Sequence, residues 1–415
     1  MADRPTIAIL VSLDTKAAEA AFLRDEIVSA GAEALLVDFG TGAAAITPDV
    51  SAEQIAELGG TPLAQLRDRQ DRNAAIETMM VGVAAWAASA RTSGQISGII
   101  SIGGSGGTAV GTAAMRALPF GAPKVMVSTV AASDVRDYVG SRDITMVNAV
   151  VDFAGVNPIS EPVLRNAAAA AAAMAIASQR SIEAKGRLVA VSQFGVTTRA
   201  VEQIQPLLAG AGLTLVPFHA TGIGGRTMEA LIAEGLFIAV LDLTTTEWAD
   251  EIAGGNLSAG PTRLEAAARA GLPQVVVPGA LDMANFFMVP VPEALRHRTL
   301  FHHNANVTLM RTTQDENAEI GRRIAEKLNA ATGPVTVLFP LRGLSALDAE
   351  GQPFHDLEAD RALLEALRQT LAPKVTFETL DMHINDPEFA AACVAALVRN
   401  IDIKEAANAE DHAHG

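Results

Sequence analysis

The stretch Ile99-Ile100-Ser101-Ile102-Gly103-Gly104-Ser105-Gly106-Gly107-Thr108 passes from an apolar run into four glycines, and the Ala109-Val110-Gly111-Thr112-Ala113-Ala114-Met115 that follows is helix-compatible. A short apolar run, a glycine break and a helical pattern read together as strand, tight turn and helix. Outward from this point the same rhythm recurs along the whole chain, which predicts parallel sheets wrapped by helices. In the first half the expected strands are 6–11, 34–38, 96–102, 124–128 and 144–147, with helices near 16–30, 73–90 and 107–117. The polar segment 47–71 carries a cap-like Ser51-Ala52-Glu53-Gln54 and a Gly59-Gly60 break, so it is expected to insert short helices beside the sheet as a lid. A long alanine-rich helix over 161–182 leads into the polar Glu183-Ala184-Lys185-Gly186-Arg187, after which the rhythm restarts with strands at 188–192, 213–218, 236–241, 274–277, 335–339 and 375–380. The expected organisation is an α/β domain over 1–185, a second over 186–405, and a disordered polar tail over 406–415.

Composition narrows the function. The chain has 415 residues, 49% hydrophobic and 19% charged, a globular balance with room for two cores. Its net charge of −16 repels a polyphosphate backbone, and an aromatic share of 4% leaves few platforms for stacking bases, so nucleic acid is not an expected partner. The single cysteine, Cys393, lies in an apolar run and excludes an internal disulfide or a thiolate metal cluster. No apolar run reaches the ~18 residues of a membrane span, and the first apolar segment reads as a strand, not a signal peptide. The expected location is the cytoplasm.

Ligands of open parallel sheets collect beyond the carboxyl ends of the strands, so those loops hold the candidate site. Gly104, Ser105, Gly106, Gly107 and Thr108 between strand and helix offer backbone N–H groups, hydroxyls and a helix N-terminus to an anion. No Lys-Ser/Thr pair follows the glycines, and the register does not match G-x-G-x-x-G, so neither standard nucleotide motif is present. Asp14-Thr15-Lys16 after the first strand, Thr41 after the second, Arg72 ahead of a helix, and Ser128-Thr129 after the fourth strand would converge on the same edge. The same glycine loop also satisfies G-x-S-x-G, which would make Ser105 a nucleophile whose base must come from histidines that all lie at 219 or later. In the second half, 218–227 repeats the strand, glycine loop and helix with His219 and Arg226, a second anion site by pattern. Asp282 with His219 or His303 is a candidate acid–base pair, and 278–285, 302–306, Arg311 and 341–348 complete a polar ring expected to form a cleft facing the first domain. His302-His303 is read as a surface pair, with no metal site expected.

The start TIAILVSLDTK, the loop SIGGSGGT, the segments VSTVAASDVRDYVGSRDI and VDFAGVN, and in the second half PGALDMANF, RTLFHHNANVTLMRTT and LFPLRGLSALDAEGQPF resemble the largely uncharacterised ATP-binding family that includes the tomato mosaic virus resistance protein. The resemblance spans about residues 5–400. It implies two Rossmann-like domains, ATP held by the first with or without magnesium, and self-association into a homodimer or higher oligomer. Matched by motif, Asp14, Thr15 and Lys16 would contact the nucleotide, Thr41 and Arg72 would assist, and Gly104, Ser105, Gly106 and Gly107 would wrap the phosphates. The leading expectation is an ATP-binding protein acting on an anionic small molecule. The alternatives are an ATP-regulated interaction module without catalysis and a serine hydrolase using Ser105.

Overall fold

The structure, a computed structural model, describes residues 4–178 and 186–414. The chain divides into two compact units, Met1–Glu183 and Ala184–Gly415. The expected boundary at 185 lies outside the described residues, as does the end of the helix expected over 161–182.

Unit 1 holds one sheet of five parallel strands, β1 (Thr6–Val11), β2 (Glu33–Asp38), β3 (Gly98–Gly103), β4 (Lys124–Ser128) and β5 (Thr145–Asn148), in the order β2-β1-β3-β4-β5. Its helices are α1 (Ala17–Ser29), α2 (Ala52–Leu58), α3 (Leu63–Arg69), α4 (Arg72–Thr92), α5 (Ser105–Arg116), α6 (Arg136–Val139) and α7 (Ser160–Ser178). Side chains alternate across the sheet, so Ile7, Ile9 and Val11 pack with Leu23 and Ile27 of α1 and Ala168 and Ala171 of α7. Ala8 and Leu10 face the other way, onto Ile55 of α2, Met79 and Val83 of α4 and Val110 of α5. Both faces of β1 are thereby dry, which is why its sequence is a continuous apolar run.

The inserted helices form where the sequence places them, and Ser51 and Gln54 make a reciprocal capping box on α2. They do not behave as a separate lid. A Cβ on Gly59 would overlap the Thr78 carbonyl, and one on Gly82 would overlap the Ile55 carbonyl, so bare backbone brings α2 against α4. Ile55, Leu63 and Leu66 are buried in the same core. The segment is a fixed wall.

Unit 2 contains a parallel sheet of β6 (Arg187–Gln193), β7 (Leu213–His219), β8 (Ala239–Thr244), β9 (Gln274–Gly279), β13 (Val335–Pro340) and β14 (Thr376–Leu380), in the order β14-β13-β9-β8-β6-β7. Between β9 and β13 the chain makes a small antiparallel sheet, β10 (Met283–Phe287), β11 (Leu300–Asn304) and β12 (Val307–Arg311), with β12 central. Segments 278–285 and 302–306, expected as loops of a polar ring, are therefore largely strand. Helices 198–210 and Pro387–His414 pack on one face of the parallel sheet. Those at 223–233, 265–270, 314–329 and 357–370 pack on the other. Over the segment expected as a disordered tail, 406–415, the last helix continues to His414, and Gly415 lies outside the described residues. Ala406, Ala407, Ala409 and Ala413 carry high helix propensity through a segment that has no apolar face to bury. Among the described residues no helix is long and apolar enough to cross a membrane.

Candidate functional site

The crossovers of unit 1 diverge between β1 and β3, and the loops after those two strands flank the switch point where such sheets bind ligands. A cavity of about 740 Å³ opens there. Asp14, Thr15, Lys16, Thr41, Arg72, Gly104, Ser105, Gly106 and Gly107 all line it, so residues from three loops and two helix starts meet at one place.

The glycine segment is tighter than its sequence suggests. β3 ends at Gly103, Gly104 is the N-cap, and α5 begins at Ser105, so Gly106 and Gly107 belong to the first helical turn. No side chain caps α5 and its first turn carries no acid, which leaves the leading N–H groups directed at the cavity without a protein acceptor among the described residues. Lys16 is likewise an N-cap without a side-chain cap bond, so two uncapped helix starts border the same space. Among the described residues Lys16 makes one side-chain hydrogen bond, Nζ to Thr15 Oγ1 at 3.2 Å, and Arg72 makes none. One guanidinium nitrogen of Arg72 lies 4.0 Å from where a Cβ on Gly106 would sit, beside the start of α5.

Other residues hold the loops. Asp14 accepts from Ser12 Oγ at 2.6 Å and from the Gly42 amide at 2.7 Å, tying the first loop to the second. Asp38 accepts from the Leu13 and Gly40 amides at 2.9 and 2.8 Å, and burial raises its carboxyl above the ordinary range against the pull of those bonds. Three expected contacts stand outside the cavity wall. Thr108 is buried and bonds the Gly104 carbonyl at 2.8 Å and Ser128 Oγ at 2.6 Å; Ser128 is buried too, and the Thr129 amide donates to the Gly103 carbonyl at 3.2 Å. These residues fasten the β3 turn to β4.

Sequence reasoning missed Arg67, Asp152 and the apolar wall of Leu66, Ile76 and Met79. Arg67 donates to the carbonyls of Thr41 at 2.5 Å and Gly42 at 2.9 Å. Nothing in Leu63-Ala64-Gln65-Leu66-Arg67-Asp68-Arg69 separates it from a solvated helix face.

Ser105 does not sit on a nucleophile elbow. Among the described residues the non-glycine ones with positive φ are Gln70, Val150, Leu264, Ala280 and Met288, so Ser105 lacks the strained backbone such a serine needs. Unit 1 contains no histidine to act as its base.

In unit 2 the second glycine loop already holds an anion, and it is the protein's own. The helix Ile223–Ala233 starts after Gly222, where the Glu247 carboxylate accepts from the amides of Gly222 at 2.7 Å and Gly225 at 3.0 Å. Arg263, 1% exposed, donates to that carboxylate at 2.7 Å and forks onto Asp242 at 2.5 and 2.7 Å, with Glu229 at 3.2 Å. The carboxylates hold Arg263 well above its ordinary pKa, while burial raises that of Glu247. Arg226 donates to the Ser258 carbonyl instead of turning to this loop.

The acid–base pairs expected for Asp282 do not form among the described residues. Asp282 is fully buried and accepts from Ser345 Oγ at 2.8 Å; His219 is exposed and stacks on Phe194, and His303 is exposed on β11 beside Phe301. The neighbours of Asp282 are instead Arg311 at the end of β12, Asp348 in the loop after β13 and Asp360 on the helix 357–370. Arg311 donates to Asp360 at 2.6 Å and lies 3.6 Å from Asp348. Burial first, and the neighbouring carboxylates second, push Asp348 up to about 9; burial pushes Asp282 to about 6. No group of three or more metal-ligating side chains occurs among the described residues.

Models of the uncharacterised protein family UPF0261 match this chain twice, its N-terminal domain over residues 5–180 and its C-terminal domain over 186–401. A UPF0261 protein of Clostridium tetani is 47% identical over 95% of this chain and 99% of its own length. The tomato ToMV resistance protein Tm-1 is 41% identical over 78% of this chain, which spans 44% of that longer protein. Among solved structures, a UDP-N-acetylglucosamine 2-epimerase from Rickettsia bellii aligns over 97% of this chain and 96% of that one, with a TM-score of 0.23 and 9% identity. That likeness is too loose to transfer ligand or chemistry.

Proposed function

We propose that this chain, which belongs to the uncharacterised family UPF0261, binds a nucleotide in the unit 1 cavity, with ATP as the ligand to test. The observation that carries the reading is the uncapped, acid-free start of α5 opening, beside Lys16 and Arg72, onto a cavity large enough for a nucleotide. Phosphate oxygens would take the free amides and the two cations, while Leu66, Ile76 and Met79 offer an apolar wall to the rest of the molecule. The second glycine loop supports no equivalent site, since Glu247 fills it, so the proposal is confined to unit 1.

Calorimetry with ATP, and with pyrophosphate as the bare anion, tests the reading. Arg72→Ala and Lys16→Ala should each weaken ATP binding about tenfold or more, the worth of a charge-assisted bond. Absence of binding below millimolar ATP, or an affinity unchanged in the double variant, rules it out. Phosphate release measured on the same samples separates hydrolysis from holding.

A further inference from the structure

The cavity wall carries three carboxylates, and two of them are already spoken for. Asp14 accepts from Ser12 and Gly42, as described above, and Asp71 caps α4 by accepting the Asn73 and Ala74 amides at 3.0 and 3.1 Å. Asp152 differs. It is exposed, and among the described residues its only bond is from the adjacent Phe153 amide to Oδ1 at 2.9 Å.

The loop that bears it is held on both sides. Before it, Val150 adopts φ 66°, a conformation a β-branched residue seldom takes, and the Val151 amide closes a three-residue turn onto the Ala149 carbonyl at 2.7 Å. After it, Phe153 and Val156 pack against the α1 and α7 core, and the Gly155 amide donates at 2.8 Å to Glu19, a buried carboxylate in the first turn of α1. These anchors lie on the α1 face of the sheet, whereas Leu66, Ile76 and Met79 come from the α2–α4 face. Asp152 thus stands across the switch point from the apolar wall, with an oxygen to spare.

We propose that Asp152 is the protein ligand of a divalent cation, magnesium by its chemistry, which bridges to the phosphates of the nucleotide. Magnesium takes one or two carboxylates, completes its shell with phosphate oxygens and water, and needs no cage of protein side chains. A single carboxylate on the wall of the same cavity, carried by an anchored loop and with one oxygen unbonded, suits it. This inference rests on the nucleotide reading above.

The test is calorimetry of ATP with the full-length protein in excess magnesium and in EDTA, for wild type, Asp152→Asn and Asp71→Asn. Asparagine caps a helix as well as aspartate, so the last variant is the control for a cavity-wall carboxylate held by the fold. Magnesium should tighten ATP binding to wild type and to Asp71→Asn about tenfold, and Asp152→Asn should lose that gain. In EDTA, Asp152→Asn should bind ATP as tightly as wild type or more tightly, because a negative charge has been removed from beside the phosphates. A merely structural role for Asp152 would weaken both conditions alike, which overturns the proposal, as does a full magnesium gain in Asp152→Asn. If wild type binds ATP in EDTA and magnesium adds nothing, the metal inference fails and the nucleotide reading stands. If it binds in neither condition, both fall.

Discussion

Gly103 and Gly104 are neighbours in sequence and opposites in what they tolerate. A Cβ on Gly103 would come within 2.7 Å of Gly107 Cα and 2.9 Å of its carbonyl carbon, so the end of β3 and the first turn of α5 can touch only while this side chain is absent. A Cβ on Gly104 meets only Thr129 Oγ1, at 3.7 Å. Gly103→Ala should therefore cost about 1–3 kcal/mol by overpacking and displace the amides of α5, whereas Gly104→Ala should leave stability within about 0.5 kcal/mol of wild type. Urea denaturation of the two variants checks this, and equal midpoints would mean that the strand-to-helix contact is not tight in solution. Asp14, Lys16 and the glycines were legible because each follows an apolar run, and strand ends are where a parallel sheet exposes its ligands, whereas Arg72 was legible only as a cation at the start of a helix. Arg67 and Asp152 were not, since their roles depend on tertiary neighbours such as the Thr41 carbonyl and Glu19, which lie 26 and 133 positions away and leave no local signal.

The pattern strand, glycine loop, helix occurs once in each unit, yet only in unit 1 is the helix start vacant of a protein anion among the described residues. The difference is Glu247, three residues past the end of β8, whose carboxylate reaches the Gly222 and Gly225 amides because a Cβ at Gly225 is missing from its path. Arg263 then compensates Glu247 and Asp242 together, inside the protein. Arg263→Met keeps much of the volume and removes the charge, so it should destabilise unit 2 by about 3–5 kcal/mol, the cost of stranding buried carboxylates. A guanidinium denaturation midpoint that barely moves would show that water reaches the cluster and that the ion pairs matter little. The inner parallel strands β1, β3, β4, β8, β9 and β13 were readable in advance because both their faces are buried and their sequences are mostly apolar runs. β10–β12 were not: they are five residues each, β11 ends in His302-His303-Asn304 facing solvent, and polar residues on a small half-exposed sheet look like loop.

At the scale of the whole molecule the carboxylates act together through pH. Burial is the first cause in each case: it raises Asp282 to about 6 and Asp250 to about 7, and with Asp282 and Asp360 beside it, Asp348 reaches about 9. Each folded value lies above the ordinary 3.8, so the folded chain binds more protons than the unfolded one across this range. The stability these groups contribute is complete below pH about 4 and is lost as pH rises through the folded values, at up to about 1.4 kcal/mol per pH unit for each group titrating. The net charge of −16 works in the same direction, since further ionisation adds repulsion. Unit 2 should therefore melt at progressively lower temperature between pH about 4 and 9. Asp348→Asn isolates the last step, because asparagine imitates the protonated carboxyl: its oxygen can still accept the Leu344 amide, which Asp348 Oδ2 does at 2.8 Å, and its NH2 cannot ionise beside Asp282 and Asp360. The variant should melt with wild type near pH 4 and progressively above it as the pH rises to 9, by about 2–4 °C for each kcal/mol recovered. Scanning calorimetry across that range decides the point, and parallel melting curves for the two proteins would mean that Asp348 is already ionised in the folded chain.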